Sequence, residues 1–362
     1  MNHIPFDSDQ WVIDAVDSRV EEYLGQQSLM LKGGTAILPD VNFTNGIIEY
    51  DVAFGPVRAF VGAMWRIQDA ANFEKFYLRA HQSGNPDASQ YTPLANGMTG
   101  WQLYPGPNYS ATVDHTFDEW TPVRVVVCGS EAEVYIGDME TPIVFIPDLK
   151  HDIVAGGIGV EIEPIPPLQS AHFANFRYEA IDNPELKGTV AAPIKTHPGT
   201  LRDWEVATTL FPKPSPVHLL KLSAEETEPL AWTPLRSDGN GVANLGMVHG
   251  ITDAPNTAVA RTTVHSDTDQ VKPLGFGYSD SAEVYLNGQL IYSGYDVYSS
   301  RDYRFLGTMG YFYTLYLPLK AGENEIMFVV TEFSPPGAPP FPGAGWGFQA
   351  RFQDLDGLSI SS

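Results

Sequence analysis

From Leu29 onward the chain is written in short runs that alternate apolar and polar residues, each closed by a turn sequence. GIIEYDVAF, AFVGAMWRI, FEKFYLRAH, PVRVVVCG, AEVYIGD, PIVFIP, GGIGVEIE and AHFANFRYEA are the clearest. A period of two sends successive side chains to opposite faces, and runs of about six to nine residues are an ordinary strand length. Thr44-Asn45-Gly46, Gly129-Ser130 and Gly137-Asp138 punctuate them with turn chemistry. A helix is expected only at 14–24, and it is short. The run 183–200, with three prolines and little apolar periodicity, reads as a linker between a domain at 1–182 and another at 201–362. Strand grammar resumes after it in DWEVATTLF, SAEVYLNGQLIYSG and YFYTLYLPLKAGENEIMFVVTEF. Asn287-Gly288 between alternating apolar runs is a strong hairpin signal. No repeat of solenoid or propeller length recurs. Many short antiparallel strands bury one face only against a second sheet, so the expected fold is all-β, two antiparallel β-sandwiches in tandem.

Charge narrows the function classes. With 362 residues, 21 basic against 44 acidic side chains and a formal charge of −23, the chain is a poor partner for nucleic acid or an anionic membrane. Polyanionic substrates such as alginate or pectate are disfavoured for the same reason. Cys128, the single cysteine, sits in the apolar run VRVVVCG and reads as a buried, inert thiol. No run is long and apolar enough to span a bilayer. The start, MNHIPFDSDQWV, has neither the basic end nor the apolar run of a signal peptide. The expectation is a cytoplasmic protein, or a mature secreted form whose leader has been removed. Sequons at Asn42 and Asn108 do not decide between these.

The stretch 73–104 carries the richest chemistry. It starts as a strand in which Phe76, Leu78 and Ala80 face the core and Tyr77, Arg79 and His81 share the opposite face with Lys75. A loop rich in Gln82, Asn85, Asp87, Gln90 and Tyr91 follows, and aromatic residues return at Trp101 and Tyr104, expected on a strand. Amides, hydroxyls and an Arg beside Trp and Tyr are what a sugar needs: aromatic faces for its C–H patches, polar groups for its hydroxyls. Arg79 beside His81 offers a cation and a titratable imidazole for acid–base work. Two other uses of the loop stay open, a structural calcium ion held by oxygen ligands and amides that fasten the loop to itself. No other metal and no cofactor is expected. HExxH, CxxC, Walker and G-x-S-x-G signatures are absent; Gly277 to Ser281 comes nearest to the last, and Gly157-Ile-Gly159 lacks the third glycine of a dinucleotide fingerprint.

Through GTAILPDVNFTNGIIEYDVAF, AFVGAMWRIQDAANFEKFYLR and the closing AGGIGVEIE and HFANFRYEA, the first half resembles concanavalin A-like or laminin G-like sandwiches, near a family described as 3-keto-disaccharide hydrolase-like. SAEVYLNGQLIYSG and LPLKAGENEIMFVVTE make the second half similar to galactose-binding-like jelly rolls. The resemblance implies a carbohydrate-active protein. Laminarinase-type hydrolases of the first fold use a strand E-x-D-x-x-E. Here Glu49 and Asp51 are present, but the sixth position is Phe54. Glu49 and Asp51, like Glu161 and Glu163, are expected as exposed carboxylates sharing a strand face. In the second half, Tyr292, Tyr295, Tyr298, Tyr303, Tyr311 and Tyr313 with Arg301 and Arg304 form either a sugar platform or aromatic core. The Pro/Gly run 334–347 reads as a lid or a plain connection.

Three functional readings follow. The first is hydrolysis or elimination at a glycosidic bond of a neutral glycan, with His81 as general acid/base and Arg79 polarising the sugar. The second is a non-catalytic glycan-binding protein stacking its ligand on Trp101 or Tyr104. The third is a structural or interaction protein. Oligomeric state is not encoded in these patterns.

Overall fold

Alternation becomes antiparallel strand throughout the computed structural model, which describes residues 1–211, 230–251, 256–297, 308–332 and 344–360. Two compact units divide it: Met1–Leu94 with Pro105–Pro193, and Ala95–Tyr104 with Ile194–Ser362. The fold is all-β, built from packed antiparallel sheets.

The first unit holds β1 (Asn2–His3), β2 (Val12–Tyr23), β3 (Gln26–Phe43), β4 (Gly46–Phe54), β5 (Phe60–Asp69), β6 (Asn72–Arg79) and β7 (Ser89–Ala95). After β8 (Met98–Thr99), which counts with the second unit, come β9 (Ser110–Ala111), β10 (Thr121–Cys128), β11 (Glu131–Ile136), β12 (Val144–Ile146), β13 (Gly156–Ile162) and β14 (Ser170–Ala180). Their order is β12-β11-β10-β4-β14-β3-β13-β5-β6-β7. The 18-residue β3 is the hinge of this arrangement: its first half pairs with β14 and its second with β13. Gly33 (φ +53°) and Gly34 lie between the halves, and a Cβ on Gly34 would fall 2.1 Å from the Asp14 carbonyl oxygen. Only glycine lets the ribbon bend there.

The expected helix at 14–24 is a strand instead. β2 pairs with β3 in unbroken register from Val12 opposite Ile37 to Tyr23 opposite Gln26, and Leu24-Gly25, both at positive φ, make the turn. Apolar residues at 12, 13, 16 and 20 suit a helix face as well as a strand, and β-branched Val and Ile favour the strand.

The second unit contains β15 (Asp203–Ala207), β16 (Trp232–Arg236), β17 (Val242–Asn244), β18 (Thr257–Ser266), β19 (Gln270–Ser279), β20 (Ser281–Leu286), β21 (Gln289–Tyr295), β22 (Tyr313–Leu319), β23 (Gly322–Thr331), β24 (Gly347–Phe352) and β25 (Leu358–Ile360). One sheet runs β16-β15-β18-β23-β20-β21 and the other β17-β24-β19-β22. Trp204, Phe276, Phe328, Trp346 and Phe348 fill the core of this unit. Asn287 and Gly288 turn β20 into β21, both at positive φ, as the Asn-Gly signal demands. Tyr292 and Tyr313 surround Tyr278, whose hydroxyl lies 2.7 Å from that of Tyr292, so these tyrosines pack against one another. Tyr311 covers the Arg351 guanidinium at 4.0 Å, and Tyr295 is exposed. Tyr298, Arg301, Tyr303, Arg304 and the run 334–343 lie outside the described residues.

Candidate functional site

The β13-β5-β6-β7 sheet has one face of the expected kind and one that is not. Val61, Ala63, Trp65, Phe76, Leu78, Val160 and Ile162 line the first, all buried and apolar. Register fixes the composition of the second. Glu161 stands opposite Gly62, Gly62 opposite Tyr77, and Tyr77 opposite Gln90, so one row of the sheet reads Glu, Gly, Tyr, Gln. Neighbouring rows add Met64 beside Lys75 and Thr92, and Phe60 beside Arg79. Gly62 lets the backbones close up, since a Cβ there would sit 2.0 Å from the Phe76 carbonyl oxygen.

These side chains are buried although charged. The Lys75 ammonium reaches Glu161 Oε1 at 3.1 Å and Glu163 Oε1 at 2.5 Å. Burial works against that ammonium, yet the two carboxylates outweigh it and hold Lys75 above its ordinary range. Burial also pushes the Glu161 carboxyl up; Lys75 opposes the shift and Glu163 adds to it. Burial raises the Tyr77 phenol to about 12, and its hydroxyl faces Gln90 Oε1 at 3.4 Å. Arg79 pairs with Asp87, and its guanidinium lies 5.5 Å from the Phe60 ring centre and 5.6 Å from that of Tyr77.

His81 has left the strand. β6 ends at Arg79, and Ala80–Gln82 is a single 3-10 turn. The half-buried imidazole stands edge-on to Phe60 at 5.1 Å with a hydrogen bond to the Ala59 backbone. Its Nδ1 is buried and unpartnered. Burial first, then the positive charges of Arg79 and Arg58, lower its pKa to about 4. At neutral pH this imidazole is uncharged and offers a lone pair.

The other sequence-predicted residues divide. Gln82 accepts a hydrogen bond from Asn85 Nδ2 at 2.8 Å, and the Asn85 backbone N–H donates to the Gln82 carbonyl. His115 joins the fastening, its backbone N–H donating to Ser83 Oγ and its ring meeting the Ala88 carbonyl. Much of the loop's polar chemistry therefore closes on the loop itself. Tyr91 lies on the apolar face beside Phe76, where its hydroxyl donates to Glu74 Oε2 at 2.6 Å and accepts from the Lys150 N–H. Trp101 and Tyr104 count with the second unit and lie in a turn where a strand was expected. Trp101 is half-buried; Tyr104 is buried, and its hydroxyl accepts from Asn244 Nδ2 at 3.1 Å.

Of the carboxylates expected in solvent, Glu49 and Glu161 are buried, and Asp51 and Glu163 are only partly exposed. Glu49 is buried between Arg124 and Arg177, whose hydrogen bonds outweigh burial and hold its pKa below the ordinary range. Asp51 accepts from Asn175 Nδ2 at 2.7 Å. Glu161 is buried with Lys75. The error has one cause: alternation shows which residues share a face, and strand neighbours decide whether that face is covered.

Lys75, Glu161 and Glu163 belong to the polar face as well, although the sequence reading gives Lys75 no role and points the two glutamates to solvent. Their signal in the sequence was two strands with charges at alternate positions; what was missing was that β13 is the neighbour of β5. A separate cavity, lined by His3, Phe6, Gly25, Gln26, Gln27 and Asn175 among others, contains none of the predicted residues.

No family model and no curated protein matches the chain. Solved structures with a similar arrangement include the carbohydrate-binding module CBM66 from Bacillus subtilis, at 13% identity and a TM-score of 0.36, over 48% of this chain and 97% of that one. A Bacillus licheniformis β-glucanase follows at 11% and 0.34, over 49% and 96%. A Bacillus subtilis protein of unknown function with a galectin-like fold stands at 11% and 0.34, over 50% and 95%. No activity is transferred from them at such identity.

Proposed function

We propose that the protein is directed at carbohydrate and that the polar face of β13-β5-β6-β7, whose side chains are buried in this structure, underlies its site, with the partly exposed His81 and Glu163 marking where a neutral glycan or glycoside would reach it. The observation that carries this reading is the row Glu161, Gly62, Tyr77, Gln90, flanked by Lys75 and Arg79. Buried ions cost several kcal/mol each to desolvate unless partners repay it, and here Glu161 and Glu163 repay Lys75 while Asp87 pairs Arg79. Acid and amide oxygens beside an aromatic ring match sugar hydroxyls and C–H faces. The neutral His81 accepts a hydroxyl proton into a hydrogen bond, and Arg79 braces the 83–88 loop through Asp87. Calcium, the alternative use of that loop, has to compete with Arg79 for the Asp87 carboxylate.

Glycan-array binding followed by calorimetry on the best ligand tests the proposal. Tyr77→Phe and Gln90→Ala should each weaken binding about tenfold, the cost of leaving one buried polar partner unmet. Array silence with folded protein removes the reading.

One observation favours catalysis over binding alone. Glu161 and Glu163 both reach one ammonium, so their oxygens stand no more than about 6 Å apart, near the spacing of retaining glycosidase pairs. Glu161, raised by burial, is the acid of such a pair, and Glu163 is its base or nucleophile. Burial and the charges of Arg79 and Arg58 lower the His81 pKa, which suits accepting a proton better than donating one at neutral pH. Product analysis with Glu161→Gln and Glu163→Gln decides: loss of turnover with ligand affinity retained supports the pair, and unchanged turnover excludes it.

A further inference from the structure

Large apolar side chains are exposed in unusual density along β2 and its turn: Val12 at 57%, Ile13 at 36%, Val16 at 64%, Val20 at 37% and Leu24 at 50%. Among the described residues, β2 pairs with β3 alone. Its outer edge therefore offers unbonded N–H and C=O groups over 12 residues. An apolar edge of this length is a template for another strand unless it is blunted by Pro, Lys or a bulge. β2 contains neither Pro nor Lys, and its register with β3 keeps one offset on both sides of Val16, where the ribbon bends at Gly33-Gly34.

The strand is complementary to itself. Val12, Asp14, Val16, Ser18, Val20 and Glu22 lie on one face, and Ile13, Asp17, Arg19, Glu21 and Tyr23 on the other. Arg19 already touches both neighbours on its own face, donating to Glu21 at 2.8 Å and to Asp17 at 3.4 Å. Two copies laid antiparallel about a two-fold axis on Ser18 overlap over the whole strand. Val16 then meets Val20 twice, Asp17 meets Arg19 twice and Ile13 meets Tyr23. A single kind of contact, Asp14 against Glu22, is repulsive. Moving the axis to Asp17 or Arg19 places like charges on it and sets Val16 against Ser18 or Glu22. Opposed apolar and opposite-charge pairs are the unit of sheet stabilisation.

We propose that the protein forms a homodimer by antiparallel pairing of β2 with β2 of a second copy, in the register centred on Ser18. The pairing joins the two sheets across the axis and covers the apolar stripe.

Sedimentation and cysteine crosslinking test both the state and the register. Wild type should sediment as a dimer, and Val16→Asp combined with Val20→Asp, both exposed positions, as a folded monomer by circular dichroism. With Cys128 replaced by Ser, Ser18→Cys should give a disulfide-linked dimer under mild oxidation. Val16→Cys alone should not, whereas Val16→Cys mixed with Val20→Cys should give the mixed dimer. A wild-type monomer at every concentration up to about 0.1 mM overturns the proposal. Equal self-crosslinking by Val16→Cys and Ser18→Cys overturns the register.

Discussion

His81 ties a local environment to a measurable pH dependence. Its folded pKa of about 4 lies below the ordinary 6.5, so between those values the unfolded chain binds a proton that the folded chain refuses. Stability is therefore complete above about pH 6.5 and falls as pH drops towards 4. His115, lowered mainly by burial, slopes the same way. Urea midpoints for wild type and His81→Gln between pH 7 and pH 4 should show a shallower fall in the variant; parallel curves remove the assignment. Lys75 supplies the second test at this scale. Lys75→Met leaves the buried Glu161 and the partly exposed Glu163 without their cation and should cost about 3–5 kcal/mol in urea unfolding. Glu161→Gln should cost less, because burial already favours the neutral carboxyl. The reverse order would mean that Glu161 is the charged anchor. Alternation showed that Tyr77 and Arg79 share a face, whereas Gln90, expected in the polar loop, joins that face because β7 is a strand paired with β6. Lys75 was visible without its meaning, since its partner Glu163 is 88 residues away and no local pattern records which strands adjoin.

Strand identity followed from period two wherever turns bounded the run, and failed where two periods fit the same residues. VIDAVDSRVEEY satisfies both, and the long pairing with β3 decides for strand. Trp101 and Tyr104 failed differently: aromatic content suggested a strand, but Gly97, Gly100 and the prolines after Tyr104 leave a turn. The loop that looked like a free polar surface spends its amides on its own closure. Glycine places the strongest constraint at this scale. In Gly62→Ala the new Cβ meets the Phe76 carbonyl oxygen, a backbone atom in the neighbouring strand. β5 and β6 must then move apart under the polar row, and overpacking of this kind costs about 1–3 kcal/mol or more. The expected outcome is a lower thermal midpoint together with weakened glycan binding. Lost stability with full affinity would separate the β5–β6 spacing from the site.

At the scale of the whole chain, charge dominates. A formal charge of −23 on 362 residues repels itself more in the compact state than in the expanded one. Ion pairs offset part of this locally, as at Glu49 and Lys75, yet acids outnumber bases two to one. Raising NaCl from about 0.01 M to about 1 M shortens the screening length from about 30 Å to about 3 Å. Repulsion among exposed carboxylates then fades while the buried pairs keep most of their strength. The thermal midpoint should therefore climb with salt, and the climb should appear in the monomeric Val16→Asp, Val20→Asp variant as well. In wild type the same screening also tightens association between two like-charged copies, so its midpoint should rise more steeply and depend on protein concentration. A flat or falling midpoint in the variant would mean that exposed ion pairs, rather than net repulsion, set the electrostatic balance of this fold.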